Sequence, residues 1–358
     1  MKRVFALLLC VLFLLPVGCT PQLGRYTETR YEFFDTVTVL TGYAATEAAF
    51  METAERVFSE LRTLHALFDI YHDATMPNLK TINDNAGGTP VRVDARIIDL
   101  LQFGREVDFL TDHRVDITLG AVLSLWHDAR TAALDSPETA VLPSEEALKA
   151  AARHTGFDRL EIDEAAGTVR LTDPEARLDV GAIAKGYAAK CAEGILPDGY
   201  LLSLGGNVVV KGTKPGNEQW TVGIQDPFDA ATLLLTIRAE NCSVVTSGDY
   251  QRVFTLNGIR YHHIIDPETL FPATGWSSVT VVCDDSALAD ALSTALFLMD
   301  RTEGSRLVEA CGAEALWIDP DGVRYATESF SLRMPRICLM AISRQKKSFL
   351  FQNAMLLF

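Results

Sequence analysis

SVTVVCDDSALADALSTALFLMDRTEGSRLVEACGAEALWI, residues 278–318, reads as strand, helix, helix, strand. Residues 278–283 are a short apolar run rich in valine. Residues 286–299 and 302–311 read as helices, and a second apolar run at 314–318 ends at the turn Asp319-Pro320-Asp321-Gly322. Working outward, TRYEFFDTVTVLTGYA (29–44) reads as a strand pair or one long strand. Apolar positions Ala49, Phe50, Val57, Leu61 and Leu64 give an amphipathic helix over 46–67. Further helices are predicted at 95–110 and at 144–154, the latter with Ser144 as cap and Glu145-Glu146 in its first turn. Short strands follow at 159–163 and 168–172, a helix at 181–194, and a strand pair at 200–211 around Gly205-Gly206. From 219 to 265 the pattern is β: 220–225, 233–238, 243–246, 252–256 and 259–265, with Asn257-Gly258 as a hairpin turn. Strands in clusters with helices between them, rather than in strict alternation, argue for an α+β fold. No linker, repeat or low-complexity tract interrupts 31–330, which reads as one integrated domain.

The 358 residues are 48% hydrophobic and 22% charged, enough to bury a sizeable core. Lys2 and Arg3 precede an apolar run over 4–15 and then Pro16-Val17-Gly18-Cys19. That is the pattern of a secretory signal, too short for a comfortable membrane span. A Cys after Gly18 adds a lipobox, with Pro16 where Leu is usual, so 1–19 is expected to be removed or acylated at Cys19. The product would be an extracytoplasmic protein anchored to the membrane through that lipid. Residues 20–30 read as a polar linker. Cys10 lies in the signal core, and the other cysteines (Cys191, Cys242, Cys283, Cys311 and Cys338) show neither C-x-x-C nor zinc spacing.

The formal net charge is −15. Residues 331–358 carry five basic and no acidic residues, and Lys2 and Arg3 add two more, so 4–330 carries −22. Such a surface argues against nucleic acid. An anionic substrate would have to be met by a local cation, a metal or oriented backbone amides. The basic, apolar tail from 331 departs abruptly from what precedes it. It reads either as an amphipathic surface segment or as a reading-frame artefact.

Within the opening stretch, ALADALSTALF (287–297) sets Asp290 and Thr294 one helical turn apart on one face. A carboxylate and a hydroxyl so placed offer hard oxygen ligands to Mg²⁺, which completes its shell with water and phosphate. The plainer reading is an Asp capping a neighbouring loop and a Thr bonded back to its own helix. In LDVGAIAKGYA (178–188), Asp179 precedes a helix start and Lys185 could meet a phosphate or pair with Asp179. TSGDYQRVF (246–254) sets Thr246, Ser247 and Gly248 at a strand end, as an anion-binding turn would. In YHHIIDPETLFPATG (261–275), His262 and His263 would face opposite sides of a strand, so that one could serve a cleft as general base. SLGGNVVVKG (203–212) brings backbone close to a ligand or another strand, and VDITLGAVLSLW (115–126) offers Asp116 and Thr118.

Taken together and in this order, these segments resemble the FAD:protein FMN transferases of the ApbE family, over roughly residues 31–328. The resemblance implies one domain of mixed or antiparallel sheets with flanking helices. It also implies Mg²⁺-dependent transfer of FMN from FAD to a Thr or Ser hydroxyl of a protein modified in trans, with release of AMP. FAD hydrolysis to FMN and AMP, or flavin binding without turnover, are the alternatives. Carried over by motif, Asp290, Thr294 and the carbonyl of Ala182 would hold the metal. Asp179, Lys185 and the backbone of Ile264 would contact FAD, with Phe34, Tyr71, Asp116, Ile117 and Thr118 lining the same site. His263 would be the base on the acceptor hydroxyl. Two departures stand out. Phe34-Asp35-Thr36 replaces the family's M-G-T, and Leu270 replaces a Gly after Asp266-Pro267-Glu268-Thr269, which would strain that turn if φ > 0 is required.

Overall fold

A computed structural model describes residues 23–334. The signal and lipobox readings, and the tail beyond Met334, lie outside the described residues. In chain order the elements begin with β1 (Gly24–Phe33), β2 (Thr36–Ala44), α1 (Glu47–Phe68), α2 (Leu79–Asp84), β3 (Val91–Arg92) and α3 (Ala95–Leu110). There follow α4 (Gly120–Asp135), α5 (Glu145–Ala152), β4 (Leu160–Asp163), β5 (Thr168–Leu171), α6 (Ala184–Glu193), β6 (Tyr200–Leu204) and β7 (Asn207–Lys211). The C-terminal half adds β8 (Trp220–Asp226), β9 (Asp229–Ala239), β10 (Cys242–Gly248), β11 (Phe254–Leu256), β12 (Ile259–Tyr261) and β13 (Ser278–Cys283). It closes with α7 (Ser286–Leu298), α8 (Arg301–Ala310), β14 (Glu314–Ile318), β15 (Arg324–Ala326) and α9 (Glu328–Arg333).

The fold is α+β. One eight-stranded sheet runs β1-β2-β6-β7-β10-β13-β14-β15, and every pairing in it is antiparallel. Of the mixed or antiparallel sheets expected, the named ones are all antiparallel; the parallel contact present is an isolated bridge between Leu119 and Arg177. Because side chains alternate across a strand, β13 sends Val279, Val281 and Cys283 to one face and Val282 to the other. The first face packs on α1, α6 and α7 in the main core. The second is covered by the β8–β9 hairpin and α9, around Trp220, Ile237, Leu316 and Phe330. A third cluster joins α4, α5 and the β11–β12 hairpin through Trp126, Leu148 and Phe254.

Three expectations need correcting. Residues 24–30, read as linker, are most of β1: Tyr26 stacks on Phe50 at 5.7 Å and Thr27 bonds Thr41, so a polar-looking stretch holds the sheet edge. The tail boundary at 331 cuts through α9, whose Thr327 cap and buried Phe330 keep it in register while Arg333 pairs with Glu314 at 2.7 Å. The strand expected over 259–265 ends at Tyr261, because His262 turns its ring back to bond the backbone of Ile264 and Ala273. Three helices, α2, α4 and α9, went unread. Among the described residues no helix is long and apolar enough to cross a membrane.

Candidate active site

The site is built where α6 meets α7. Asp290, 4% exposed, points from α7 at the start of α6, and its Oδ2 accepts the Gly186 N–H at 2.7 Å. That N–H belongs to the first helical turn, which has no intrahelical acceptor, so a carboxylate there is favoured by hydrogen bond and dipole alike. A Cβ on Gly186 would lie 2.3 Å from Asp290 Cβ and 2.5 Å from the Ser286 carbonyl, so only glycine lets the helices approach this closely. The other oxygen of Asp290, Oδ1, takes part in no hydrogen bond among the described residues. One turn on, Thr294 Oγ1 lies 3.5 Å from Ser247 Oγ, which bonds Ser293 Oγ at 2.8 Å. One oxygen of the Asp290 carboxylate is thus engaged as a cap and the other is left for another partner. A carboxylate oxygen and a hydroxyl one turn apart on a helix face are hard oxygen donors of the kind Mg²⁺ takes, few at a time, from a protein. No cluster of three His, Cys, Asp or Glu suited to a metal occurs among the described residues, so a zinc-like cage is not what this corner offers.

Asp179 lies just before α6. Its N–H bonds the Ile117 carbonyl at 2.8 Å, while buried Asn83 clamps the adjoining Leu178 backbone through both its amide oxygen (2.7 Å) and its amide nitrogen (2.9 Å). Asp179 Oδ1 accepts from Gly181 N–H at 2.8 Å, shaping the turn that carries Ala182. Burial pushes its pKa up, against the Gly181 N–H and the charges of Arg252 and His127. Lys185 makes no ion pair among the described residues; of the two partners considered for it, a phosphate or Asp179, the pairing with Asp179 is not formed.

Beyond the strand end, the paired histidines part company. His262 Nε2–H donates to the Ala273 carbonyl at 2.8 Å and its Nδ1 accepts from Ile264 N–H at 3.2 Å, so the ring is neutral, and it packs edge-on against Phe297. His263 is exposed, and its Nδ1–H donates to the Gln251 carbonyl at 3.1 Å, leaving the Nε2 lone pair free. Crowding by the cleft walls, then the charges of Arg252 and Lys185, push its pKa down to about 3. The imidazole is therefore neutral at pH 7.

Tyr71, half exposed, stacks on His127 of α4 with ring centres 4.6 Å apart and bonds its Nδ1 at 3.2 Å. Burial, then Asp179 nearby, raise the phenol to about 12. This pair makes a flat aromatic wall near Asp179. Phe34 sits in the two-residue turn between β1 and β2, where it and Asp35 both have φ of 52°. Its N–H bonds His65 and its ring meets His65 edge-on at 5.4 Å.

Asp116, Ile117 and Thr118 serve largely as framework. Asp116 Oδ1 accepts from both the N–H and the hydroxyl of Thr118 at 2.7 Å, and Thr118 Oγ1 accepts from Gly156 N–H at 2.7 Å. The Ile117 side chain is buried in the main core, and its carbonyl is what positions Asp179. Ile264 is likewise engaged, its N–H by His262 and its carbonyl by Ala273 N–H at 3.0 Å. Thr246, Ser247 and Gly248 are not a turn but the last residues of β10, paired in register with β13; Ser247 faces the Asp290 corner while Thr246 turns away to Thr280 at 2.9 Å.

Sequence reasoning missed Arg252 and His127. Arg252 was visible as the one basic residue of the Thr-Ser-Gly motif, whereas His127 carried no signal because the helix presenting it was unread. A cavity of about 400 Å³ lined by Asp266, Trp276, Phe297 and Arg301 lies at the far end of α7, away from Asp290.

Comparison with known proteins converges on one family. The family model described as "ApbE family" matches residues 34–317. An FAD:protein FMN transferase of Treponema pallidum is 34% identical over 300 residues, 78% of this chain and 80% of that protein. One from Rhodobacter capsulatus is 30% identical over 316 residues, 87% of this chain but 58% of its own length. Among solved structures, the ApbE protein of Thermotoga maritima superposes with a TM-score of 0.77 at 30% identity, over 87% of this chain and all of that one. The Vibrio cholerae flavin transferase ApbE gives 0.72 at 25% identity, with the same coverage.

Proposed function

The chain belongs to the ApbE family, and from that premise we propose that it is an FAD:protein FMN transferase, moving FMN from FAD to a Thr or Ser hydroxyl of a second protein and releasing AMP. The observation that carries the mechanism is His263: a neutral imidazole with Nδ1–H tied to Gln251 and Nε2 open to solvent. A hydroxyl becomes a competent nucleophile when a base takes its proton during attack. His263 Nε2 accepts that proton as the hydroxyl oxygen bonds the flavin-side phosphorus. The bond from that phosphorus to the bridging oxygen breaks, and AMP leaves with the oxygen.

Lys185, unpaired and close enough to influence His263, neutralises pyrophosphate charge in a protein that is otherwise acidic. The Tyr71–His127 stack offers a face to a flat ring system. Asp290 Oδ1, Thr294 Oγ1 and the Ala182 carbonyl would hold Mg²⁺. Bound there, the ion would supply Lewis-acid charge neutralisation on the pyrophosphate. The exposure of His263 also favours a second reading, hydrolysis of FAD to FMN and AMP, since water can take the acceptor's place. At the N-terminus, we propose removal of the signal and acylation of Cys19, which would place the enzyme outside the cytoplasm beside its acceptor.

Mass spectrometry of an acceptor domain incubated with purified chain, FAD and Mg²⁺ tests the reading. One added FMN on a Thr or Ser, absent with EDTA, is expected. Free FMN and AMP with an unmodified acceptor would favour hydrolysis, and intact FAD would defeat both. A Cys19→Ala chain that still partitions with membranes would remove the lipid anchor.

A further inference from the structure

The segment from Gln251 to His263 closes on itself. Between them lies the β11–β12 hairpin, and its base is fastened by the His263 Nδ1–H bond to the Gln251 carbonyl. The peptide plane bearing that carbonyl leads directly into Arg252, whose φ is +45°, a left-handed conformation unusual for a side chain of this kind. Rotation about φ of Arg252 would swing the carbonyl away from the imidazole. An ordinary conformation at residue 252 is therefore incompatible with the bond that fixes which nitrogen of His263 is the base. Backbone strain held this way needs a stated use.

The side chain points to a second role. Arg252 is exposed and has no ion-pair partner among the described residues, in a body carrying −22. Its charge is felt at Asp179 before α6, at Tyr71 after α1 and at His263, groups from three separate parts of the chain. A guanidinium among them can present a planar fork of N–H donors to a phosphate.

Resting on the transferase reading, we propose that Arg252 is a further working residue of this site: its left-handed backbone aims the Gln251 carbonyl at His263 and so sets the base's tautomer, while its guanidinium joins Lys185 in binding the pyrophosphate of FAD.

Variants of the full chain separate the two roles. Arg252→Asn removes the charge but accepts left-handed backbone, whereas Arg252→Val removes the charge and resists it. Arg252→Asn is expected to weaken FAD binding, followed by flavin fluorescence, tenfold or more, with the His263 ¹⁵N signals still those of an Nδ1–H tautomer. Arg252→Val is expected to show the same loss of affinity plus a mixture of tautomers, and a kcat below that of Arg252→Asn. Wild-type FAD affinity in Arg252→Asn would overturn the phosphate role. An unchanged tautomer and equal kcat in Arg252→Val would overturn the backbone role. Should the valine variant unfold, Arg252→Ala, with the same preference in milder form, replaces it under the same criteria. FAD affinity and ¹⁵N signals need no acceptor, so they judge Arg252 even if no FMN transfer is seen, an outcome that counts against the transferase reading alone.

Discussion

Under the proposed function Asp290 would divide two tasks, helix cap and metal ligand, between two oxygens, and substitution can separate them. Asn at 290 keeps an oxygen for the Gly186 N–H and loses the negative charge, so stability should stay within ~1 kcal/mol of the parent. Turnover at saturating Mg²⁺ should nevertheless fall roughly 100-fold or more, the usual scale for removing a group that stabilises transition-state charge. Ala at 290 loses the same turnover and also leaves a buried N–H unpaired, which costs about 1–3 kcal/mol in urea denaturation. Parental turnover in Asp290→Asn would reduce Asp290 to a helix cap. His262 makes a different prediction, about pH. Burial holds its folded pKa below 6.5, so as pH falls through 6.5 the unfolded chain takes up protons before the native ring does. Its contribution to stability is therefore full above that pH and declines as the solution becomes more acid. Asp179 and Asp116, whose pKa values are raised, act in the opposite sense because the native state takes their protons first. The clean measurement is thus a difference: the gap in melting temperature between the parent and His262→Asn should narrow from pH 7.5 to pH 5. A gap that widened would show that His262 gains, rather than loses, stabilisation on protonation.

At the scale of elements, the turn after Asp266 tests a departure that was legible in the sequence. Leu270 has φ of +64°, the conformation in which a glycine would be at ease. Its side chain packs in the cluster with Trp126, whose Nε1–H donates to the Leu270 carbonyl at 2.9 Å. Burial of a leucine, worth about 1.5–3 kcal/mol, outweighs the ~1–2 kcal/mol of left-handed strain. Leu270→Gly should accordingly be destabilising, yet more stable than Leu270→Ala by ~1 kcal/mol, since alanine loses the packing and keeps the strain. Denaturant titration of the two variants would show it, and alanine as the more stable would refute the strain argument. The element that was missed explains what the sequence left hidden. Leu119 precedes α4 without a side-chain cap, and its first turn is Gly-Ala-Val, so nothing in residues 119–122 announces a helix. With α4 unread, His127 could not be set beside Tyr71. By contrast α5, capped by Ser144 with Glu145 and Glu146 behind it, was legible to within two residues. The placing of Asp290 and Thr294 was legible for a similar reason: they share a helix face by spacing alone. That Gly186 brings α6 against Asp290 is a contact across 104 residues of sequence, and no local pattern encodes it.

Over the whole molecule, the eight-stranded sheet is covered on both faces, so nearly all acidic side chains are left to the outer surface while α6 and α7 meet beneath the site. Under the proposed function an FAD molecule, itself anionic, would have to cross the field of a body carrying −22 before meeting Lys185 and Arg252. The two influences differ in range. The net charge acts over distances set by the Debye length, about 30 Å at 0.01 M salt and about 10 Å at 0.1 M, whereas the local cations act at contact distance and are less screened. At low salt the repulsion extends well outside the cleft and dominates the approach. Added salt should therefore raise the FAD association rate in stopped-flow fluorescence at constant free Mg²⁺, while the dissociation rate changes little. Lys185→Gln removes an attraction that works only close in, so it should raise the dissociation rate and leave the upward salt trend of association in place. An association rate that instead fell with salt would mean that the cleft's cations steer FAD from a distance, overriding the acidic body.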